Sequence, residues 1–131
     1  MSMPPHTGAD YVIVPMNEHL GPTDDALDVP WATFVGDRTD PHAFEVTAES
    51  PRDAYVQIQA FEVDETGHQL SINGEPLGGF DLPPRDGWGL WMDTVDHGSL
   101  VAGENELRVR RDPGGDDAFV VGTAVVHWRT A

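Results

Sequence analysis

The chain has 131 residues, no cysteine, and 23 Asp and Glu against seven basic residues, all arginines, for a net charge of −16. This length suits one domain, and the missing cysteines rule out a disulfide framework or a thiolate metal centre. So anionic a surface makes nucleic acid a poor partner, and no apolar run reaches the roughly 18 residues that span a bilayer.

At a molecular weight of 14.3 kDa the folded chain should expose roughly 6,800 Å². Charges at that density repel over about 10 Å in dilute buffer and about 3 Å near 1 M salt. Self-repulsion of this size, with no lysine at all, points to a halophilic protein. The opening MSMPPHTGADYVIVPM has no basic segment followed by a long apolar one. A cytoplasmic location is therefore expected. Residues 1–9 read as a disordered tail and 10–131 as a single domain.

Strand-like runs then follow one another. YVIVP (11–15) comes first. A turn-rich stretch follows, in which TDDAL (23–27) suggests one short helical turn capped by Thr23 or Asp24. WATFV (31–35) and AFEVT (43–47) are short strands. AYVQIQAFEV (54–63) alternates: Val56, Ile58 and Ala60 take the core face, and Tyr55, Gln57, Gln59 and Phe61 the other. HQLSIN (68–73) leads into Asn73-Gly74, whose tolerance of positive φ specifies a type I′ hairpin; Leu77 to Leu82 reads as its return strand. GWGLWMDTV (87–95) is a strand or an irregular aromatic segment. NELRVRR (105–111) turns Leu107 and Val109 inward. AFVVGTAVVHWR (118–129) is apolar on both faces in its middle, with Gly122 marking a bulge. Eight or nine strands spaced by turn signals predict an all-β antiparallel sandwich.

The strand AYVQIQAFEV, the hairpin HQLSINGEPLGGF, the turn-strand LVAGENELRVRR and the closing AFVVGTAVVHWR together resemble a jelly-roll sandwich of the galactose-binding-like kind. In that resemblance Leu100 plugs the core, Gly103 turns the chain, Asn105 bonds loop backbone and Leu107 re-enters the core. Over the whole chain, EHLGPTDDALDVPWATFVGD, GWGLWMDTV and DDAFVVGTAVVHWR look like a group of small haloarchaeal proteins of uncharacterised function. That likeness implies a stand-alone domain and no particular activity.

Chemistry-bearing residues are few. Trp88 and Trp91 lie near Asp93, Asp96 and His97; indoles stack on sugar rings and carboxylates accept sugar hydroxyls, so these five form a candidate carbohydrate or polar-ligand site. The competing reading has both indoles fill the core or cover its edge, a structural part that Trp31 and Trp128 are also expected to play. Six histidines, at 6, 19, 42, 68, 97 and 127, show no metal-ligand spacing, so no transition metal is expected. Calcium is the one ion the acids could hold, through Asp93, Asp96 and Glu104 or through Asp112, Asp116 and Asp117. There is no G-x-S-x-G, and Ser99 beside His97 is not a triad. The expected function is a non-catalytic binding module rather than an enzyme. The alternative is a structural or assembly subunit, a homo-oligomer or an accessory to a larger complex, contacting its protein partner through Tyr55, Gln57, Gln59 and Phe61.

Overall fold

A computed structural model describes residues 8–78 and 81–130. Within them lie nine strands and no helix: β1 (Ala9–Leu20), β2 (Thr33–Gly36), β3 (His42–Val46), β4 (Arg52–Val63), β5 (Gln69–Ile72), β6 (Glu75–Pro76), β7 (Arg85–Thr94), β8 (Gly103–Arg110) and β9 (Phe119–Arg129). One sheet has the order β2-β1-β9-β4-β7 and the other β3-β8-β5-β6. Neighbours are antiparallel except β1 and β2. The protein is a jelly-roll β-sandwich. Among the described residues no helix is long and apolar enough to cross a membrane. The tail expected over residues 1–9 lies outside the described residues as far as residue 7, and β1 already begins at Ala9.

Period-two alternation builds the core. Val56, Ile58 and Ala60 of β4, Leu107 and Val109 of β8, Leu70 and Ile72 of β5, and Ala124, Val126 and Trp128 of β9 are all buried between the sheets. Gly122 sits where β9 carries an extra residue: Ile58 pairs Ala124 while Ala60 pairs Val121. β1 bulges opposite, between Pro15 and Glu18, where Asn17 takes φ 52°. The expected helical turn at 23–27 is a bend with one backbone bond, Ala26 N–H to Thr23 C=O. The return strand of the Asn-Gly hairpin is only two residues long. Pro76 has no N–H to extend the ladder, although Leu77 N–H still reaches Leu70 C=O at 2.9 Å. Residues 79 and 80 of that expected strand lie outside the described residues.

Two polar networks lock the loops. Asn73 and Gly74 both have positive φ, 54° and 83°, as a type I′ turn demands. Asn73 also leaves its hairpin: its Nδ2–H donates to Asn105 Oδ1 at 2.9 Å, and its Oδ1 accepts from Glu106 N–H at 2.9 Å. Asn105 is buried; its Nδ2 donates to the carbonyls of Val101 and Gly103, and its Oδ1 accepts from Val101 N–H. Gly103, at φ 89°, makes the turn between Leu100 and Leu107, both in the core.

The second network joins His68 to Asp117, both fully enclosed. Asp112 N–H donates to His68 Nδ1 at 3.1 Å, so the ring proton sits on Nε2 and goes to Asp117 Oδ2 at 2.7 Å. The carboxylate further accepts from Asp64 and Glu65 N–H. Burial alone would raise its pKa. The hydrogen bonds from His68, Glu65 and Asp64, together with the attraction of His68, outweigh burial and hold Asp117 below the usual carboxylate range.

Asn105→Ala strands four backbone or amide partners, and equilibrium urea unfolding should read a loss of about 2–3 kcal/mol. Asp117 has a lower pKa folded than unfolded. It therefore stabilises the fold above about pH 4, and that contribution vanishes as pH drops through the folded value. Asp117→Asn should lower stability at pH 7 and flatten the acid side of the stability profile, measured by thermal melts between pH 3 and 7.

Candidate functional site

The outward positions of the five-stranded sheet form a face unlike the rest of the surface. Alternation points Tyr11, Ile13 and Pro15 outward from β1, and Thr123, Val125 and His127 from β9. It does the same for Tyr55, Gln57, Gln59 and Phe61 of β4 and for Trp88, Leu90 and Met92 of β7. None of these is acidic, in a chain with 23 carboxylates. Ile13 is 57% exposed, Leu90 61% and Met92 65%.

An aromatic step closes one end. Phe61 pairs with Trp88 across the β4–β7 ladder, and Trp31 leans over both. The ring centroids lie 5.2 Å apart for Phe61–Trp88, 5.6 Å for Trp31–Phe61 and 5.8 Å for Trp31–Trp88. Trp31 and Trp88 each keep 46% of their surface in solvent. Asn17, in the β1 bulge, donates from Nδ2 to Trp31 C=O at 2.6 Å and anchors that loop. The Trp88 ring lies over Gly122; a Cβ there would come within 2.9 Å of it. The β9 bulge glycine is thus the seat of the exposed indole. Of the two indoles expected to be structural, Trp128 is buried in the core, and Trp31 covers its neighbours from the surface.

The middle of the face carries a ladder across three strands. Tyr11, His127 and Tyr55 are register partners on β1, β9 and β4. The rings of His127 and Tyr55 stack at 4.3 Å and 8°, and Tyr11 tilts against His127 at 6.0 Å. His127 Nε2 bonds Gln57 Oε1 at 2.7 Å. Burial lowers the His127 pKa, which keeps the ring neutral at pH 7.

At the other end lies an open groove of about 980 Å³, lined by Tyr55, Met92, Asp93, Asp96 and His97 with Arg52 and Asp53. The structure therefore brings Asp93, Asp96 and His97 together with Tyr55. Asp93 Oδ1 accepts from Thr94 N–H, and its buried Oδ2 has no hydrogen-bond partner. Trp88 stands five residues from Asp93 along β7, roughly 17 Å at strand spacing. Trp91 does not join it. Three residues apart on a strand means opposite faces, and Trp91 is half-buried against the core, its indole pressed on Gly89.

The carboxylate sets read as calcium ligands are dispersed. Asp117 is consumed by His68 and backbone, and Asp112 Oδ1 by Gly114 N–H. Among the described residues, the acids that do converge are Glu62, Asp64 and Asp86, with oxygens within 4.8 Å of one another. Partial desolvation, then the charges of Asp117, Glu62 and Asp86, push Asp64 up. No sequence spacing announces this triplet, because it spans the β4–β7 ladder. The buried His68–Asp117 pair has the composition of a base and its orienting acid, but both ring nitrogens are occupied, so His68 has no site left from which to take a substrate proton.

The fold has known counterparts. The CBM36-1 domain of a multidomain xylanase from the hindgut metagenome of Trinervitermes trinervoides superposes with a TM-score of 0.56 at 14% identity, covering 90% of this chain and 96% of that one. A CBM29-2 variant, a family 29 carbohydrate-binding module in complex with cellulohexaose, gives 0.55 at 12% identity, covering 93% of each. Dimeric latent PorU from Porphyromonas gingivalis gives 0.55 at 10% identity, covering 94% of this chain and 13% of that one. At such identities the likeness establishes the sandwich alone. No curated protein matches the chain in sequence. Residues 8–130 match the family of unknown function DUF7383, and the chain belongs to that family.

Proposed function

We propose that this protein is a non-catalytic binding module that takes a carbohydrate on the outer face of its five-stranded sheet. The observation that carries this reading is the absence of carboxylates from the outward side chains of β1, β9, β4 and β7 between exposed Trp31 and Trp88 at one end and, at the other, a groove lined by Tyr55, Met92, Asp96 and His97. Indole faces offer flat apolar area to the C–H faces of sugar rings. Gln57 and Gln59 offer amides along the strand between. In the groove, Asp96 and His97 can hold ligand hydroxyls, with Asp93, whose Oδ2 is buried, forming part of its wall. Trp91 supports the strand from the core side. The carbohydrate-binding modules among the structural neighbours make the same sandwich a plausible carrier of such a site. If an ion assists, calcium is the one that oxygen ligands such as Glu62, Asp64 and Asp86 would suit. The net charge and the missing lysines favour a haloarchaeal, high-salt setting.

A second reading, a homo-oligomer or assembly subunit, draws on the aliphatic strip of Ile13, Leu90 and Met92, which suits a protein contact.

Two measurements separate them. Titration with soluble oligosaccharides in molar salt should show saturable quenching of tryptophan fluorescence, and Trp88→Ala should weaken binding at least tenfold; an unchanged affinity rejects the aromatic step as the site. Sedimentation in about 3 M salt, where charge repulsion is screened, should give a monomer on the first reading. A dimer dissociated by Met92→Glu would establish the second.

A further inference from the structure

The opposite face of the molecule carries a charge pattern that the sugar reading does not use. Alternation turns Gln69 and Ser71 of β5 and Glu106, Arg108 and Arg110 of β8 outward from the four-stranded sheet. Arg38 joins them from the β2–β3 loop, bridged to Arg110 through the backbone. Three of the seven arginines of the chain thus line one cleft of about 270 Å³, with Gln69, Ser71, Pro76 and Glu106 completing it. Like charges set side by side repel. Among the described residues none of these three guanidinium groups has a carboxylate within 4.0 Å, whereas Arg111 pairs with Asp37. Glu106, the one acid lining the cleft, forms no ion pair with them.

The cleft is also partly pre-arranged. Arg108 is half-buried, and its Nε–H donates to Thr39 C=O at 2.9 Å. Thr39 is itself buried, and its Oγ1 accepts from Val109 N–H at 3.0 Å. This fixes the stem and leaves both Nη atoms of Arg108 for an outside acceptor. Arg38 and Arg110 make no side-chain bond to the protein among the described residues. Ser71 Oγ–H donates to Arg108 C=O at 3.4 Å and helps fix that strand. A planar fork held in place beside two further guanidinium groups and an amide is the donor set that oxyanions select.

We propose that Arg38, Arg108 and Arg110, with Gln69, form a second binding site, specific for an oxyanion group of the carboxylate or phosphate type and independent of the aromatic face. The net charge of −16 disfavours anions at long range. In molar salt that repulsion fades within about 3 Å, and the short-range contacts of the cleft decide binding.

The test is an NMR titration of the whole chain with inorganic phosphate and, separately, with acetate, at constant ionic strength set with sodium chloride. Saturable amide shifts confined to residues 38–41, 69–76 and 106–110 are expected with at least one of the two, and which one saturates identifies the oxyanion. Arg38→Gln with Arg110→Gln removes no intramolecular bond, so the melting temperature should hold while the dissociation constant rises at least tenfold. Linear, unsaturable or scattered shifts would overturn the proposal, as would equal affinity in the double variant. So would anion-independent self-association lost in that variant, which would make the acidic surface of a second copy the occupant.

Discussion

The structure depends on β9 being buried on both faces over its first four residues, Phe119 to Gly122. As the middle strand of the five-stranded sheet it pairs with β1 and β4, and its inner side chains, Phe119, Val121, Ala124, Val126 and Trp128, supply much of the core. Val120 is nevertheless fully enclosed as well, flanked by its register partners His19 and Phe61. A strand apolar on both sides requires cover on both. Among the described residues no helix provides it outside this sheet. The cover comes from long side chains on neighbouring strands and from Trp31 on its loop. The aromatic step is therefore a structural roof whose upper surface remains in solvent, and the same rings that protect β9 are free to meet a ligand.

Charge is distributed to match. Apart from buried Glu18 and Asp117, most carboxylates sit on loops, on strand ends and on the other sheet, where water and ions can reach them. The acid-free strip and the arginine cleft lie on opposite sides of the sandwich, so each keeps its own electrostatic environment. A sandwich of this thickness separates two outer faces by two sheets and a core layer of about 10 Å, and in concentrated salt neither face influences the other. The buried His68–Asp117 pair belongs to neither. Its work is to fasten the 64–67 loop to the 112–117 loop at the entrance to β9.

Much of the sandwich was legible in the chain because strand alternation is local. Val56, Ile58 and Ala60 against Tyr55, Gln57, Gln59 and Phe61 is a two-residue period that any buried sheet must obey. The Asn73-Gly74 turn and the Gly103–Asn105 turn announce themselves by residue type, since backbone of that shape favours those residues. Sequence proximity misled where geometry is not local. Trp88 and Trp91 look like a pair but alternate to opposite faces, and nothing local tells that Trp31 packs on Phe61 and Trp88.

From its sequence alone this protein is an acidic, lysine-free β-sandwich whose strands, faces and main turns follow from the period of its apolar residues. Which strands become neighbours was decided only in three dimensions. The β9 bulge that seats Trp88 over Gly122, the ladder Tyr11–His127–Tyr55, the triplet Glu62–Asp64–Asp86 and the cleft of Arg38, Arg108 and Arg110 all join residues from different strands or loops. Side-chain chemistry is written residue by residue. Convergence requires sheet register, and register is fixed by the packing of the whole chain.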